Sequence, residues 1–194
     1  MKSLMMSVLA VFALSLFAGC KSSPKTTDEA DAARNEVRTM SRETLDKLEQ
    51  VQPGSRKMVE SAYGYATFAN FGMKILVVGG GSGKGVAVSH SPHNETFMRM
   101  AELQAGLGLG AKKFRLVWVF TTQDAFNQFV NQGWEFGGQA TAQAQKGEQG
   151  GGLAGALAIA PGVYLYQITD TGLALELTVK GTKYYKDDML NQYS

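Results

Sequence analysis

The sequence predicts an α+β fold in which helices cover an antiparallel β-sheet built from hairpins. Two patterns in the spacing of apolar residues support this class. Over residues 28–51, apolar side chains recur every three or four positions, as on one face of a helix. After Tyr63 the spacing of apolar residues becomes two, and turn-forming residues divide the chain into short segments. Hydrophobic residues make up 44% of the 194 residues, which is ordinary for a domain with a buried core.

The first twenty residues have the pattern of a bacterial lipoprotein signal. A nearly unbroken apolar run over residues 4–17 matches a signal-peptide core and is too short to span a bilayer. Residues 16–20, Leu-Phe-Ala-Gly-Cys, resemble a lipobox, although Phe17 stands where leucine is usual. A plain secretory signal with a chance cysteine is the alternative. Because Cys20 is the only cysteine and falls at this position, we expect residues 1–19 to be removed and Cys20 to be lipidated.

Lipidation of Cys20 would decide both the location of the protein and its thiol chemistry. Acyl chains on Cys20 would anchor the protein to a membrane, and no thiol would remain for a disulfide. Lys21 follows the cysteine, whereas aspartate at that place usually retains lipoproteins in the inner membrane. We therefore expect the protein to be anchored in the bacterial outer membrane, with the domain facing the periplasm or the cell surface. Residues 20–27 are the acylated cysteine and a polar tether.

Charge and composition argue against several other functions. The chain has 19 basic and 17 acidic residues and a net charge of +2, which does not favour nucleic-acid binding. Its two histidines, His90 and His93, flank a Ser-Pro turn, and a metal site needs three or four convergent ligands. No serine lies in the sequence context of a nucleophile elbow. We expect no enzymatic activity, no metal and no cofactor.

An N-terminal helix is predicted over residues 28–53. Acidic residues in its first turn suit the helix dipole, and Pro53-Gly54 ends the periodic pattern. We expect this helix to pack on the domain. A helix lying on the membrane surface is the alternative, but the apolar stripe lacks aromatic residues and the polar face carries both signs of charge. The domain itself is expected over residues 54–194, starting with a short helix capped by Ser55.

The most distinctive stretch of the domain is glycine-rich. Two short apolar runs flank residues 79–85, where five of seven positions are glycine, and this pattern predicts a β-hairpin whose turn presents Lys84. A phosphate-binding loop is the alternative. That motif needs glycine where Val78 stands, serine or threonine where Gly85 stands, and a helix after it. The spacing therefore argues against a nucleotide site.

The remaining domain is predicted to continue as strands with one helix. Residues 114–120 are apolar on both faces after Arg115, which is typical of a central strand covered on both sides. A helix follows a capping box that begins at Thr121, and it ends at Gly133. The other expected elements are strands over 65–68 and 134–145, turns at 70–72 and 112–113, a hairpin over 163–180 and a polar tail over 181–194. Residues 96–103 fit either a strand or a short helix, and we favour a strand.

Several short motifs occur in a characteristic order over residues 55–193. They are Ala-Tyr-Gly-Tyr-Ala-Thr-Phe at 62–68, the glycines at 79–85, Gly-Leu-Gly-Leu-Gly-Ala at 106–111, Val-Trp-Val-Phe at 117–120, Ala125-Phe126 with Phe129, Gly-Trp-Glu-Phe-Gly at 133–137, Gly-Leu-Ala at 172–174 and Asn191. This order resembles the SYLF domain. The resemblance implies an α+β domain that binds lipids, which are phosphoinositides in eukaryotic members.

The chain departs from the SYLF pattern at two places. Asn70 stands where proline is usual, and Gly83-Lys84-Gly85 stands where Gly-Glu-Gly is usual, so this segment is more basic here. With the resemblance, the predicted architecture becomes an α+β fold with an antiparallel, partly barrel-like sheet and covering helices.

Lipid binding would need basic side chains beside apolar ones, because cations near an anionic membrane surface attract its headgroups. The candidates are Arg56, Lys57, Lys74, Lys84, Lys112, Lys113 and Arg115. We expect a non-catalytic domain that binds anionic lipid headgroups or phospholipid, held at the membrane through Cys20. The alternative is a structural or protein-interaction module with an envelope protein as its partner.

Overall fold

The computed structural model describes residues 26–75, 78–105, 110–136, 153–174 and 182–192. In these ranges the chain forms four helices and nine strands. The helices are α1 (Thr27–Val51), α2 (Ser55–Ser61), α3 (Gln123–Gln132) and α4 (Asp188–Gln192). The strands are β1 (Gly64–Ile75), β2 (Val78–His90), β3 (His93–Ala105), β4 (Gly110–Phe120), β5 (Trp134–Phe136), β6 (Leu157–Ala160), β7 (Val163–Thr169), β8 (Gly172–Ala174) and β9 (Thr182–Lys186).

The strands form one antiparallel sheet that curls into part of a barrel. Their order is β5-β9-β3-β2-β1-β4-β7-β6, and β8 pairs with β7. The rings of Trp118 on β4 and Tyr184 on β9 lie 5.2 Å apart, although three strands separate them in the sheet. In a flat sheet, with strands about 4.8 Å apart, they would be separated by about 19 Å. The sheet therefore curves around these rings, which confirms the predicted α+β class.

The concave face of the sheet encloses an aromatic core. Phe68 and Trp118 contact Phe129 of α3, and Tyr184 completes the group. The side chains of α3 that face this core are Ala125, Phe126, Phe129 and Val130, as the sequence predicted. The helix ends before Gly133, also as predicted, but its N-cap is Thr122 rather than Thr121: the Thr122 hydroxyl accepts the Ala125 N–H.

The convex face is covered by α1. Leu45 and Leu48 of α1 belong to one cluster with Val117 and Val119 of β4. Val37 belongs to a second cluster, with Val86, Val88, Phe97 and Leu190. Strand β4 is thus buried on both faces, and the first helix packs on the domain, as the sequence predicted.

The start of α2 differs from the prediction that Ser55 caps it. The N-cap is Gly54, in a left-handed conformation with φ of 85°. The Glu49 carboxylate at the end of α1 accepts the N–H groups of Gly54 and Arg56, each at 2.8 Å, and the Ser55 hydroxyl at 3.1 Å. The hydrogen bond from the Arg56 N–H, followed by that from Gly54, lowers the pKa of the Glu49 carboxyl.

The predicted glycine-rich hairpin turn is wrong. Residues 79–85 lie inside β2, which pairs with β1 in unbroken register from Gly64 opposite Ser89 to Ile75 opposite Val78. A Cβ atom on Gly85 would lie 2.3 Å from Cδ1 of Phe68, so glycine at this position makes room for the core ring. Lys84 therefore projects from the middle of a strand.

Two further predicted turns are also strand interior. Residues 70–72 belong to β1, and the proposed basic turn at Lys112-Lys113 belongs to β4, where these residues pair with Gly72 and Phe71. The tail expected to be merely polar forms β9, which pairs with β3 and β5, and then α4. Of the predicted strand over 134–145, residues 134–136 form β5, and the rest lies outside the described residues.

Candidate functional site

A cleft of ≈ 1060 Å³ lies between α1 and the convex face of the sheet. We call it the helix–sheet cleft. One side of α1 forms its wall, through residues between Glu36 and Gln50. Strands β1 to β4 and the end of β7 form its floor. The cleft exists because α1 covers only part of the convex face.

Three cations lie in one row across the floor of the cleft. Arg99 on β3 is in register with Lys84 on β2, Lys84 with Ala69 on β1, and Ala69 with Arg115 on β4. Residues in register on neighbouring antiparallel strands project from the same face, with β-carbons about 4.5–5.5 Å apart. We call Arg99, Lys84 and Arg115 the basic row. The methyl side chain of Ala69 leaves a gap within it.

The members of the basic row differ in their contacts. Arg115 lies 3.5 Å from the Glu43 carboxylate and donates to the Thr44 hydroxyl at 3.3 Å. The guanidinium of Arg99 lies 3.2 Å from the buried carboxylate of Asp187. For Lys84, the described part of the chain supplies neither an ion pair nor a side-chain hydrogen bond.

Lys84 and Arg99 repel each other, since like charges directly opposite on paired strands are unfavourable. A bound anion between them would relieve this repulsion. The arrangement therefore favours binding of a negatively charged group at the floor of the cleft.

The α1 wall carries the opposite charge. Glu36, Glu43 and Asp46 line the cleft from α1, where Lys47 is the one cation on the lining. The successive spacings, seven residues from Glu36 to Glu43 and three from Glu43 to Asp46, place them along one side of a helix. Asp46 also forms an ion pair with Arg56 of α2. We call Glu36, Glu43 and Asp46 the acidic wall.

Apolar groups lie between the two charged sides. Val37 and Met40 line the cleft from α1, and Ala69 and Ile168 line it from the floor. Tyr185, in register with Arg99, also lines the cleft. It stands out among the described large apolar side chains because 38% of it is exposed. The cleft thus offers charge, apolar surface and an exposed aromatic ring in one place.

The structure brings together only part of the set of predicted lipid-binding residues. Lys84 and Arg115 meet in the cleft, whereas Arg56 and Lys57 lie on α2, outside its lining. Lys74 lies in β1, and Lys112 and Lys113 lie in β4; the side chains of these three are outside the described part of the chain. Cys20 is outside it as well.

Arg99 and the residues of the acidic wall were not predicted as binding residues from the sequence. Arg99 lies between Met98 and Met100 in a predicted strand, and this alternation places it on the face opposite the two methionines. Its pairing with Lys84 depends on strand register, which no local pattern reveals.

Metal-ligating groups, the histidines and long apolar helices can also be described for the ranges given above. Within the described ranges, no group of three or more His, Cys, Asp or Glu side chains is arranged to hold a metal ion. The Nδ1 atom of His90 lies 2.9 Å from the Ala62 carbonyl, and His93 is exposed. Among the helices in those ranges, none is long and apolar enough to cross a membrane.

Comparison with known proteins adds one relative. Beta cell expansion factor A of Aeromonas veronii is 33% identical to this chain over 177 residues. The match covers 88% of this chain, and the chain spans 62% of the relative's length. No protein-family model matches the chain.

Proposed function

We propose that this protein is a membrane-anchored lipoprotein whose domain binds phospholipid without catalysis. The observation that carries the proposal is the basic row, in which Arg99, Lys84 and Arg115 share the floor of one cleft. In this proposal the phosphate of a lipid headgroup lies on the basic row, close to Lys84.

The chemistry of the basic row suits a phosphate. Arginine can donate two parallel hydrogen bonds to phosphate oxygens, and lysine acts as a compact point charge. The contact between Arg115 and Glu43 joins two substantially exposed side chains, and such exposed ion pairs contribute little stability. A phosphate could therefore displace Glu43 from Arg115 at small cost.

The apolar part of the cleft suits the rest of a lipid. Met40 and Ala69, which are partly exposed, provide apolar surface for the glycerol backbone and the first methylene groups of the acyl chains. Tyr185 at the lining fits a position at the membrane interface, where tyrosine places its ring among the headgroups. The SYLF resemblance points in the same direction.

Anchoring through Cys20 would keep the cleft near its ligand. A tethered domain meets a membrane lipid at high effective concentration, so even a modest intrinsic affinity would suffice. We place the anchor in the bacterial outer membrane. Cys20→Ser should move the protein from the membrane fraction to the soluble fraction; retention in the membrane fraction would contradict lipidation at Cys20.

Vesicle flotation of the mature chain carrying Cys20→Ser would test lipid binding without the anchor. Vesicles mixing phosphatidylethanolamine and phosphatidylglycerol serve as the probe. Adding Lys84→Gln with Arg115→Gln should weaken binding about tenfold or more, because two charge-assisted contacts are lost. The matched control is Lys57→Gln with Arg42→Gln, which removes the same charge from exposed positions outside the cleft lining.

The outcomes of this experiment separate the functions. Equal loss of binding in both double variants would indicate non-specific attraction rather than a site. Absence of vesicle binding by the parent chain, with a defined protein adduct after crosslinking in whole cells, would favour the envelope-interaction role instead.

A further inference from the structure

We propose that the helix–sheet cleft selects a zwitterionic phospholipid headgroup with a primary ammonium, a phosphoethanolamine, over a purely anionic headgroup. This inference rests on the proposed phospholipid binding and names the headgroup class. It follows from the separation of charge between the basic row and the acidic wall, which a patch that only attracts anions would not need.

The charges that line the cleft are balanced in number but separated in space. The cations are Lys47, Lys84, Arg99 and Arg115, and the carboxylates are Glu36, Glu43, Asp46 and Asp170. Three of the four cations lie on strands, and three of the four carboxylates lie on α1. A ligand with no net charge but with two separated charges matches this arrangement, whereas a net anion would face the acidic wall unfavourably.

Glu43 is the carboxylate best placed to meet the ammonium. Its carboxylate lies 3.5 Å from the Arg115 guanidinium, and the Glu43 side chain is 60% exposed. A phosphoethanolamine between them would replace this loose pair with two contacts, from Arg115 to the phosphate and from the ammonium to Glu43. Both contacts are charge-assisted hydrogen bonds, which are stronger than neutral ones.

Other common headgroups satisfy only one side of the cleft. Phosphoglycerol presents a phosphate but no cation, so it leaves the carboxylates of the acidic wall without a partner from the ligand. Phosphocholine carries a quaternary ammonium that has no N–H to donate, whereas a primary ammonium has three donors, as in lysine. Of these headgroups, phosphoethanolamine alone can donate hydrogen bonds from a cation to the acidic wall while its phosphate binds the basic row.

Glu43→Gln provides a test in which two lipids respond in opposite directions. The mature chain with Cys20→Ser is titrated with phosphatidylcholine vesicles that contain equal fractions of either phosphatidylethanolamine or phosphatidylglycerol. Glu43→Gln should lower partitioning onto the phosphatidylethanolamine vesicles about tenfold, because the ammonium loses its charged acceptor. It should raise partitioning onto the phosphatidylglycerol vesicles, because Arg115 is released and a repelling carboxylate is removed.

Two further variants control the measurement. Lys84→Gln should weaken binding to both vesicle types by a similar factor, since both headgroups share the phosphate. Glu60→Gln removes one carboxylate from an exposed position on α2, outside the cleft lining. It should leave partitioning onto both vesicle types unchanged. Thermal unfolding of each variant checks that the fold is intact.

The possible results distinguish this inference from the proposed function. If Glu43→Gln lowers partitioning onto phosphatidylethanolamine vesicles and raises it onto phosphatidylglycerol vesicles, recognition of the ammonium is supported. Equal changes on both vesicles, or preference of the parent chain for phosphatidylglycerol, overturn the headgroup selection and leave phospholipid binding standing. Failure of the parent chain to bind either vesicle overturns both proposals.

Discussion

The side-chain amide of Asn191 pairs with both backbone polar atoms of Phe97, 94 residues earlier in the chain. Asn191 Nδ2 donates to the Phe97 carbonyl at 2.8 Å, and its Oδ1 accepts the Phe97 N–H at 3.0 Å. Strand β9 pairs with β3 from Met98 to Glu102, and the backbone N–H of Asp187 also donates to the Phe97 carbonyl. Asn191, on α4, thus supplies side-chain hydrogen bonds to β3 at Phe97, one residue beyond the end of its pairing with β9.

Asn191→Ala should lower the free energy of unfolding by about 1–3 kcal/mol, because the Phe97 N–H loses its acceptor in a partly buried place. Urea unfolding followed by circular dichroism measures this. Asn191→Asp keeps an acceptor for that N–H but places a carboxylate oxygen where Nδ2 donates to the carbonyls of Phe97 and Asp187, each at 2.8 Å, so it should destabilise the fold at least as much. Gln192→Ala, at the exposed next position, should change stability by less than about 0.5 kcal/mol. Equal losses of unfolding free energy in Asn191→Ala and Gln192→Ala would contradict the stabilising role of the hydrogen bonds between Asn191 and Phe97.

Glu49→Gln should make the protein less stable at neutral pH, and the loss should depend on pH. Hydrogen bonds from the Arg56 and Gly54 N–H groups hold the folded-state pKa of Glu49 below the usual 4.5. A carboxyl with a lowered pKa stabilises the fold above its unfolded-state pKa, and this stabilisation disappears as pH falls through the folded-state pKa. The difference between parent and variant melting temperatures should therefore shrink on acidification below about pH 4.5. A difference independent of pH would show that the charge on Glu49 is not involved.

Gly85→Ala should destabilise the domain by about 1–3 kcal/mol, the usual cost of overpacking. The new Cβ would lie 2.3 Å from both Cδ1 of Phe68 and the Thr67 carbonyl, so the core and the strand pairing must shift. Ser82→Ala on the same strand, at an exposed position, is the control and should have little effect on the denaturant midpoint. Unchanged stability in Gly85→Ala would mean that this glycine does not face the core.

Three of the four described helices, α1 to α3, and the central strand could be predicted because their signals are local. The repeat of three and four over α1, and the apolar run of β4, each follow from which side chains must leave water. The glycines of β2 do not show locally whether the segment is a turn or a strand. Glycine suits a turn as well as a close approach between strands, and only the position of the Phe68 ring distinguishes the two.

Of the six charged residues in the basic row and the acidic wall, the sequence predicted two, Lys84 and Arg115. Lys84 and Arg115 were predicted as basic candidates, but the prediction also included Arg56 and Lys57, which lie outside the cleft lining. Lipidation of Cys20 and the membrane location stay predictions. Arg99 and Glu43 could not be identified, because their importance comes only from what lies opposite them.

The amino-acid sequence by itself determined three of the four described helices and the α+β class, because these follow from the periodicity of apolar residues. Only the tertiary structure decided that β2 is one continuous strand and that its register aligns Lys84 with Arg99 and Ala69. Register depends on packing between strands distant in sequence, and a shift by one residue would move Lys84 to the opposite face. The basic row and the acidic wall therefore exist only after the sheet has formed and α1 has packed on it.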